Sequence, residues 1–318
     1  MLQLFKKKIR KDSLVAVCLD GHAVTVARVK QDKGMPPLLK LCEYQEVENQ
    51  SLRGAEIARL TNNHHLYNFE CISTLELGNY NLLLVEAPDV QPEELRAAIR
   101  WRVKDLIDFH IDDAVVDVFE VPNQKTAGNN RMMYAVVERS DVIKQNIDQL
   151  TGAGLNLNVI DIPELALRNI ASLLPEDVGG VALVYIGDHY GLITITRQST
   201  LYFSRRIDIG LNGLPETSRS GSQENIQRWL DGIIVEIQRS LDYYESHFSQ
   251  PQVSAIVISP LGREVPGMLD YLSSQVDVPV RILNVNELID VDIPVSEEMQ
   301  SKCMLAIGAA LRQESVTL

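Results

Sequence analysis

The chain has 318 residues, 45% of them hydrophobic and 23% charged, with a formal net charge of −13. This length and apolar content suffice for about two packed domains and exclude an intrinsically disordered chain. The acidic balance excludes nucleic acid as the main partner, because neutralising phosphates needs a basic surface.

Residues 1–11 run against that balance. Lys6, Lys7, Lys8, Arg10 and Lys11 are interspersed with Leu2, Leu4, Phe5 and Ile9. The segment reads either as a solvated terminus or as a weak foot on an anionic membrane surface, at about 1 kcal/mol per cation near the headgroups. No secretory core follows it, and no stretch reaches the roughly 18 apolar residues that span a bilayer. Cys18, Cys42, Cys71 and Cys303 are isolated, which fits a reducing cytoplasm. His64 and His65 are adjacent, wrong for two ligands on one helix face, and read as a solvated loop or helix end.

In chain order, Leu14 to Leu19 is a buried strand, Asp20-Gly21 a hairpin turn, and Val24, Val26 and Val29 resume the β pattern. A further strand spans 38–47, a short helix 56–66, and strands 70–77 and 81–85. Pro92-Glu93-Glu94 opens a helix that the spacing of Leu95, Ala98, Ile99, Val103, Leu106 and Ile107 carries to Asp108. A strand at 115–121, a polar hairpin loop at 123–130, a return strand at 132–137 and a helix at 140–150 complete an α/β block that reads as inserted, at 82–158. A strand at 159–162 and a helix at 163–174 follow. The opening pattern then recurs: LVAVCLDGHAVTVARV (14–29) and VALVYIGDHYGLITIT (181–196) both place a Gly/Asp/His turn after a buried strand, which reads as a duplication. Residues 211–225 read as a mobile loop. Ile226, Leu230, Ile233, Ile237, Leu241, Tyr244 and Phe248 mark a long helix. Strand 253–259, helix 265–275, strand 280–285 and a helix capped by Ser296 end the chain. Two hairpin-sheet units backed by helices imply two lobes with a cleft between them: an α/β, actin-like (duplicated ribonuclease H-like) fold.

The segments 92–118, 153–167, YFSRRIDIG (202–210), EIQRSLDYYESH (236–247) and AIGAALR (306–312) resemble the PilM-type, FtsA-like actin-fold proteins of type IV pilus assembly. The resemblance implies a first lobe of 12–81, 159–178 and 294–314, an inserted subdomain of 82–158, and a second lobe of 179–293. It implies a cytoplasmic protein at the inner membrane that grips the cytoplasmic tail of a bitopic PilN-like partner, alongside other components of the pilus platform.

Actin-fold ATPases hold Mg²⁺ and phosphates with an Asp and backbone amides in each hairpin, and adenosine against a glycine pair. In this sequence the first motif falls on Cys18-Leu19-Asp20, with Gly21 next. The second falls on Tyr185-Ile186-Gly187, followed by Asp188, and the glycine pair on Pro260-Leu261-Gly262. Neither Cys18 nor Tyr185 replaces a carboxylate on a hard cation. Asp20 and Asp188 read first as turn residues. The expectation is a degenerate cleft, no resident cofactor, ATP and Mg²⁺ bound weakly or not at all, and no enzymatic activity. The competing reading is an active actin-fold ATPase or sugar kinase, and a third is a polymerising, divisome-like protein.

Trp101 stands off its helix stripe. It reads as an interface anchor or as packing within the chain. By analogy with the family, whose partner tail lies between the first lobe and the inserted subdomain, Arg100, Trp101, Lys104 and Phe109 are expected at the partner site. Arg205 and Arg206 read as a solvated strand face or as a self-association contact.

Overall fold

The computed structural model describes residues 9–122, 131–214 and 222–313. Lys6, Lys7, Lys8 and the loop 123–130 fall outside them. In chain order the elements are β1 (Arg10–Asp20), β2 (Ala23–Lys30), β3 (Leu38–Glu46), α1 (Arg53–Asn63), β4 (Phe69–Thr74), β5 (Asn81–Glu86), α2 (Pro92–Val103), β6 (Ala114–Glu120), β7 (Met132–Arg139), α3 (Ser140–Gly152), β8 (Asn156–Asp161) and α4 (Pro163–Ala171). They continue with β9 (Val181–Ile186), β10 (Gly191–Arg197), β11 (Thr200–Ile207), α5 (Ser222–Phe248), β12 (Ala255–Ile258), α6 (Met268–Ser274), β13 (Val280–Ile282), α7 (Val285–Leu288), β14 (Asp290–Val291) and α8 (Glu297–Ala310).

Two sheets repeat one topology. The first has the order β14-β3-β2-β1-β4-β8 and the second β11-β10-β9-β12-β13. In each, three antiparallel strands joined by hairpins are extended on the side of the first strand by two parallel strands. The two hairpin turns differ in length. Asp20 pairs with Ala23 across two residues, whereas Ile186 pairs with Gly191 across four.

Helices α4 and α8 lie between the sheets, in a core cluster that joins Ala16 and Cys18 of β1 to Leu183 of β9 and Val257 of β12. Their approach is close enough that a Cβ on Gly308 would collide with the carbonyl of Ala166. The outer face of the first sheet is covered by Ile57 and Leu60 of α1 and Leu150 of α3. That of the second is covered by α5, through Leu230, Ile233, Ile237 and Tyr244, and by α6. The result is five alternating layers of helix and sheet.

Between β4 and β8 the chain builds a third sheet, β5-β7-β6. Strand β7 alternates its faces. Met133, Ala135 and Val137 meet Ile99 and Val103 of α2, while Val136 turns to a cluster with Leu75, Tyr80 and Ile162 at the junction with the first lobe.

Three expectations are corrected. Arg10 and Lys11 open β1 instead of lying in a loose basic segment, and Arg10 pairs with Asp12 at 3.0 Å. Strand β14 and the 283–289 stretch belong with the first sheet and the interlobe core, not with the second lobe, because Asp290 and Val291 pair with Leu38 and Leu39. The helix expected to Asp108 ends at Val103. The Arg100 guanidinium holds the carbonyls of Ile111 and Ala114, which draws the returning chain across its last turn and leaves Leu106 exposed.

Candidate functional site

The two hairpin turns face each other across the cleft. Strand alternation puts Cys18 and Asp20 on the same face of β1, and the register of β9 against β10 presents Tyr185, Gly187 and Asp188 from the other lobe. All five line one cavity of about 110 Å³, together with Tyr44 of β3, Glu76, His189 and Lys302 of α8. An adjoining space of about 390 Å³ is lined by Asp188, Lys302, Leu261, Gly262 and Arg263. The structure thus brings the sequence-predicted residues of the cleft together, except that Gly21 and Pro260 line neither cavity. Pro260 is buried, and the Gly21 amide is turned onto a neighbouring loop.

That loop supplies Glu76. The Gly21 N–H donates to Glu76 Oε1 at 2.9 Å, and Asn79 Nδ2 donates to Oε2 at 2.9 Å. In the second turn the Gly187 N–H donates to the Tyr190 carbonyl at 2.9 Å, and the carbonyls of Gly187 and Asp188 accept from Leu211 and Asn212. Gly210 makes this possible, because a Cβ there would strike the Asp188 backbone. Lys302 Nζ lies 3.2 Å from one carboxylate oxygen of Asp188 and 3.3 Å from the other, and 5.2 Å from the centre of the Tyr44 ring. Neither Glu76 nor Lys302 was legible as a cleft residue. Each lies far along the chain from the motif it meets, and only the placement of α8 between the lobes brings Lys302 to Asp188.

The electrostatics follow from this crowding. Burial pushes the Cys18 thiol up to about 11, and burial with the charges of Asp20 and Asp188 pushes the Tyr185 phenol above its ordinary value. Both stay neutral at physiological pH. Asp20 is raised by withdrawal from water, then by Glu76 and Asp188, against the opposing effect of His189 and Lys302. At the two motif positions the cavity therefore offers a neutral thiol and a neutral phenol, while the carboxylates of Asp20, Glu76 and Asp188 line it beside them. Amides that could cradle phosphate, those of Gly21 and Gly187, are already hydrogen-bonded. Among the described residues no cluster of three or more His, Cys, Asp or Glu side chains is poised to hold a metal.

A second concavity, about 380 Å³, separates the inserted sheet from the first lobe. Its walls are the edge strands β6 and β8, each the last strand of its sheet. Val115, Phe119 and Val136 make its apolar surface, with Ile160 and Leu165 opposite. Its polar groups are mixed: Asp117 is exposed and paired with Arg96 at 3.1 Å, while Asp161 and Glu138 are buried. Asp161 is paired with Arg312 at 2.5 Å, and Glu138, 3% exposed, accepts the Arg139 N–H on Oε1 at 2.7 Å while its Oε2 has no partner among the described residues. Burial raises Glu138 above the ordinary carboxylate range.

The residues expected at a partner site are not in this groove. Arg100, Trp101 and Lys104 belong to the helix side of the inserted sheet, and the groove is on the other face. Trp101 is 71% exposed, with the Lys104 ammonium 5.7 Å from its ring centre, so it does not pack within the chain. Phe109 packs against the α2 cluster, with the Arg139 guanidinium 5.9 Å from its ring. The strand face opposite α2 carries the groove, and nothing in the helix pattern could have shown it. Arg205 pairs with Glu236 at 3.5 Å, and Arg206 lies 4.9 Å over the Tyr190 ring.

Comparison with known proteins agrees with this architecture. The fold is actin-like. Residues 84–220 match the family model of the type IV pilus assembly protein PilM. No curated protein matches the sequence. Among solved structures, a chain of the PilM-PilN type IV pilus biogenesis complex superposes with a TM-score of 0.74 at 18% identity, over 94% of this chain and 97% of that one. The cytoplasmic domain of EpsL, an inner-membrane component of the type II secretion system of Vibrio cholerae, gives 0.51 at 11% identity, over 95% and 99%. At these identities the likeness is one of fold. Among the described residues, no helix is long and apolar enough to cross a membrane.

Proposed function

We propose that this protein is a PilM-like scaffold of a type IV-class pilus assembly machine, and that it holds the cytoplasmic tail of a PilN-like inner-membrane protein in the groove between β6 and β8. The observation that carries this reading is a coincidence of place. The groove residues from Val115 to Arg168 all fall inside the 84–220 stretch that matches the PilM family model. The groove also suits an extended peptide. Two unpaired strand edges offer backbone hydrogen bonds, an apolar floor takes alternate side chains, and the free oxygen of Glu138 calls for a donor.

The scaffold works at the cytoplasmic face of the inner membrane of a Gram-negative bacterium, and the machine is of the mannose-sensitive haemagglutinin type, with this chain in the role of MshI. The sequence segments 236–247 and 306–312 support that finer assignment. The protein is not an enzyme. Its cleft is a degenerate nucleotide site, a reading supported by Cys18, Tyr185 and the engaged turn amides.

The test is affinity capture from native membranes with tagged protein, followed by mass spectrometry. Wild type should retain a bitopic PilN-like protein. Val115→Arg, a change at a 42% exposed position on the groove wall, should lose it while remaining folded. Capture that survives Val115→Arg, or wild type that retains no such protein, refutes the proposal.

A further inference from the structure

The core around α4 and α8 joins the lobes at their base, but nothing in the scaffold reading says what holds the two facing turns together when no nucleotide bridges them. We infer that the cleft is filled by ligands from the chain itself: Lys302 supplies the cation that Asp188 would otherwise draw from solution, and Glu76 supplies the anion that the Gly21 amide would otherwise draw from a phosphate. This inference rests on the nucleotide-free part of the proposal above and gives it a mechanism.

The geometry is specific. Lys302 stands on the helix between the lobes and reaches both. Its ammonium is shared almost equally by the two oxygens of Asp188 in the second lobe, at 3.2 and 3.3 Å, and faces the Tyr44 ring of the first lobe at 5.2 Å. Glu76 caps the other turn, accepting the Gly21 N–H at 2.9 Å. Two residues further on, the Gly78 backbone lies against the Tyr190 ring, so that even a Cβ at Gly78 would come within 3.2 Å of it. The loop carrying the internal anion therefore also meets the turn next to the internal cation. A carboxylate on a turn amide and an ammonium on a turn carboxylate reproduce, with the charges tethered, the two kinds of contact that a phosphate and its metal would make. Because both charges are covalently attached, closure carries no dependence on ligand concentration.

Hydrogen exchange read by mass spectrometry tests this on the full-length protein. Peptides covering 18–23 and 186–190 are followed in wild type with and without Mg-ATP, in Lys302→Met, which keeps the stem and removes the charge, and in Lys302→Arg. Wild type should be indifferent to Mg-ATP. Lys302→Met should exchange about two- to fivefold faster in both turn peptides, the range expected for a partly exposed ion pair, with 133–139 unchanged. Lys302→Arg should stay near wild type. If Lys302→Met does not fold, Asp188→Asn removes the same pair from the other side and should give the same acceleration. Unchanged turn exchange in the variant, with wild type indifferent to Mg-ATP, overturns the internal-ligand inference alone. Protection of the wild-type turns by Mg-ATP overturns the nucleotide-free reading itself.

Discussion

Arg312→Met removes one partner of the most buried ion pair among the described residues. The side chains of Arg312 and Asp161 are 10% and 3% exposed, so the variant leaves a carboxylate out of reach of water with Arg168 as its remaining neighbouring cation. Breaking a buried pair costs about 3–5 kcal/mol where the remaining charge is uncompensated, and Arg168 places the loss toward the lower end of that range. At about 2–4 °C per kcal/mol for larger domains, the melting midpoint should fall by roughly 6–20 °C. Replacing both members, Arg312→Met with Asp161→Leu, should recover most of the loss. About 1 kcal/mol should remain, because Asp161 also accepts the Ile162 N–H at 2.9 Å. The penalty should depend on pH. Burial already raises Asp161 against the pull of Arg312, so the folded state holds its proton more tightly than the unfolded chain does. Stability then falls as pH rises from the ordinary carboxylate value to the raised one, and more steeply without the arginine. Differential scanning calorimetry of wild type, single and double variants at neutral and mildly acidic pH gives the comparison. A single variant that loses less than about 1 kcal/mol, or a double variant no more stable than the single, refutes the assignment of this pair as the tie between α8 and β8.

Three further outcomes are expected. Gly308→Ala should destabilise by about 1–3 kcal/mol in urea titration, although alanine ordinarily favours a helix interior by about 1 kcal/mol, because the added methyl meets the Ala166 carbonyl. Glu164, fully enclosed and bonded by the Tyr80 hydroxyl, is raised by burial to about 7 from an ordinary 4.5. Stability should therefore decline by about 3 kcal/mol as pH rises across that interval, and Glu164→Gln should flatten the decline in a pH series of denaturation midpoints. Trp101→Ala should alter stability by no more than about 0.5 kcal/mol and leave membrane-partner capture intact, since its side chain lies across the inserted sheet from the groove.

The sequence revealed the repeated hairpin units because each is local. Buried β-branched runs, a Gly/Asp turn and a second strand announce themselves within sixteen residues. The turn motifs at Cys18-Leu19-Asp20 and Tyr185-Ile186-Gly187 could be placed in the cleft for the same reason. Lys302 and Glu76 were invisible, since their significance comes from meeting Asp188 and Gly21 across lobes or loops. The inserted block shows a different limit. Strand β6 carries apolar residues on both faces, Val115 and Phe119 flanking Asp117 on one and Val116 and Val118 on the other, so alternation could not tell which face looks toward the first lobe. The position of Trp101 off the stripe left an exposed anchor and packing within the chain both open, and the groove belonged to the opposite surface. Helix α2 ran short of its periodic pattern because a tertiary contact, Arg100 to the returning carbonyls, overrode a continuing apolar spacing.

The placement of α8 bears on how the chain comes to its native state on the ribosome. This helix follows every strand it covers, yet it completes the layer on which both sheets rest. Until it emerges, α4 alone covers the inner faces of the two sheets, and neither half can seal fully. Such a nascent chain presents sticky surface for most of its synthesis, the condition under which holding chaperones act. Maturation should therefore be late and concerted, the two halves becoming protease-resistant together instead of one after the other.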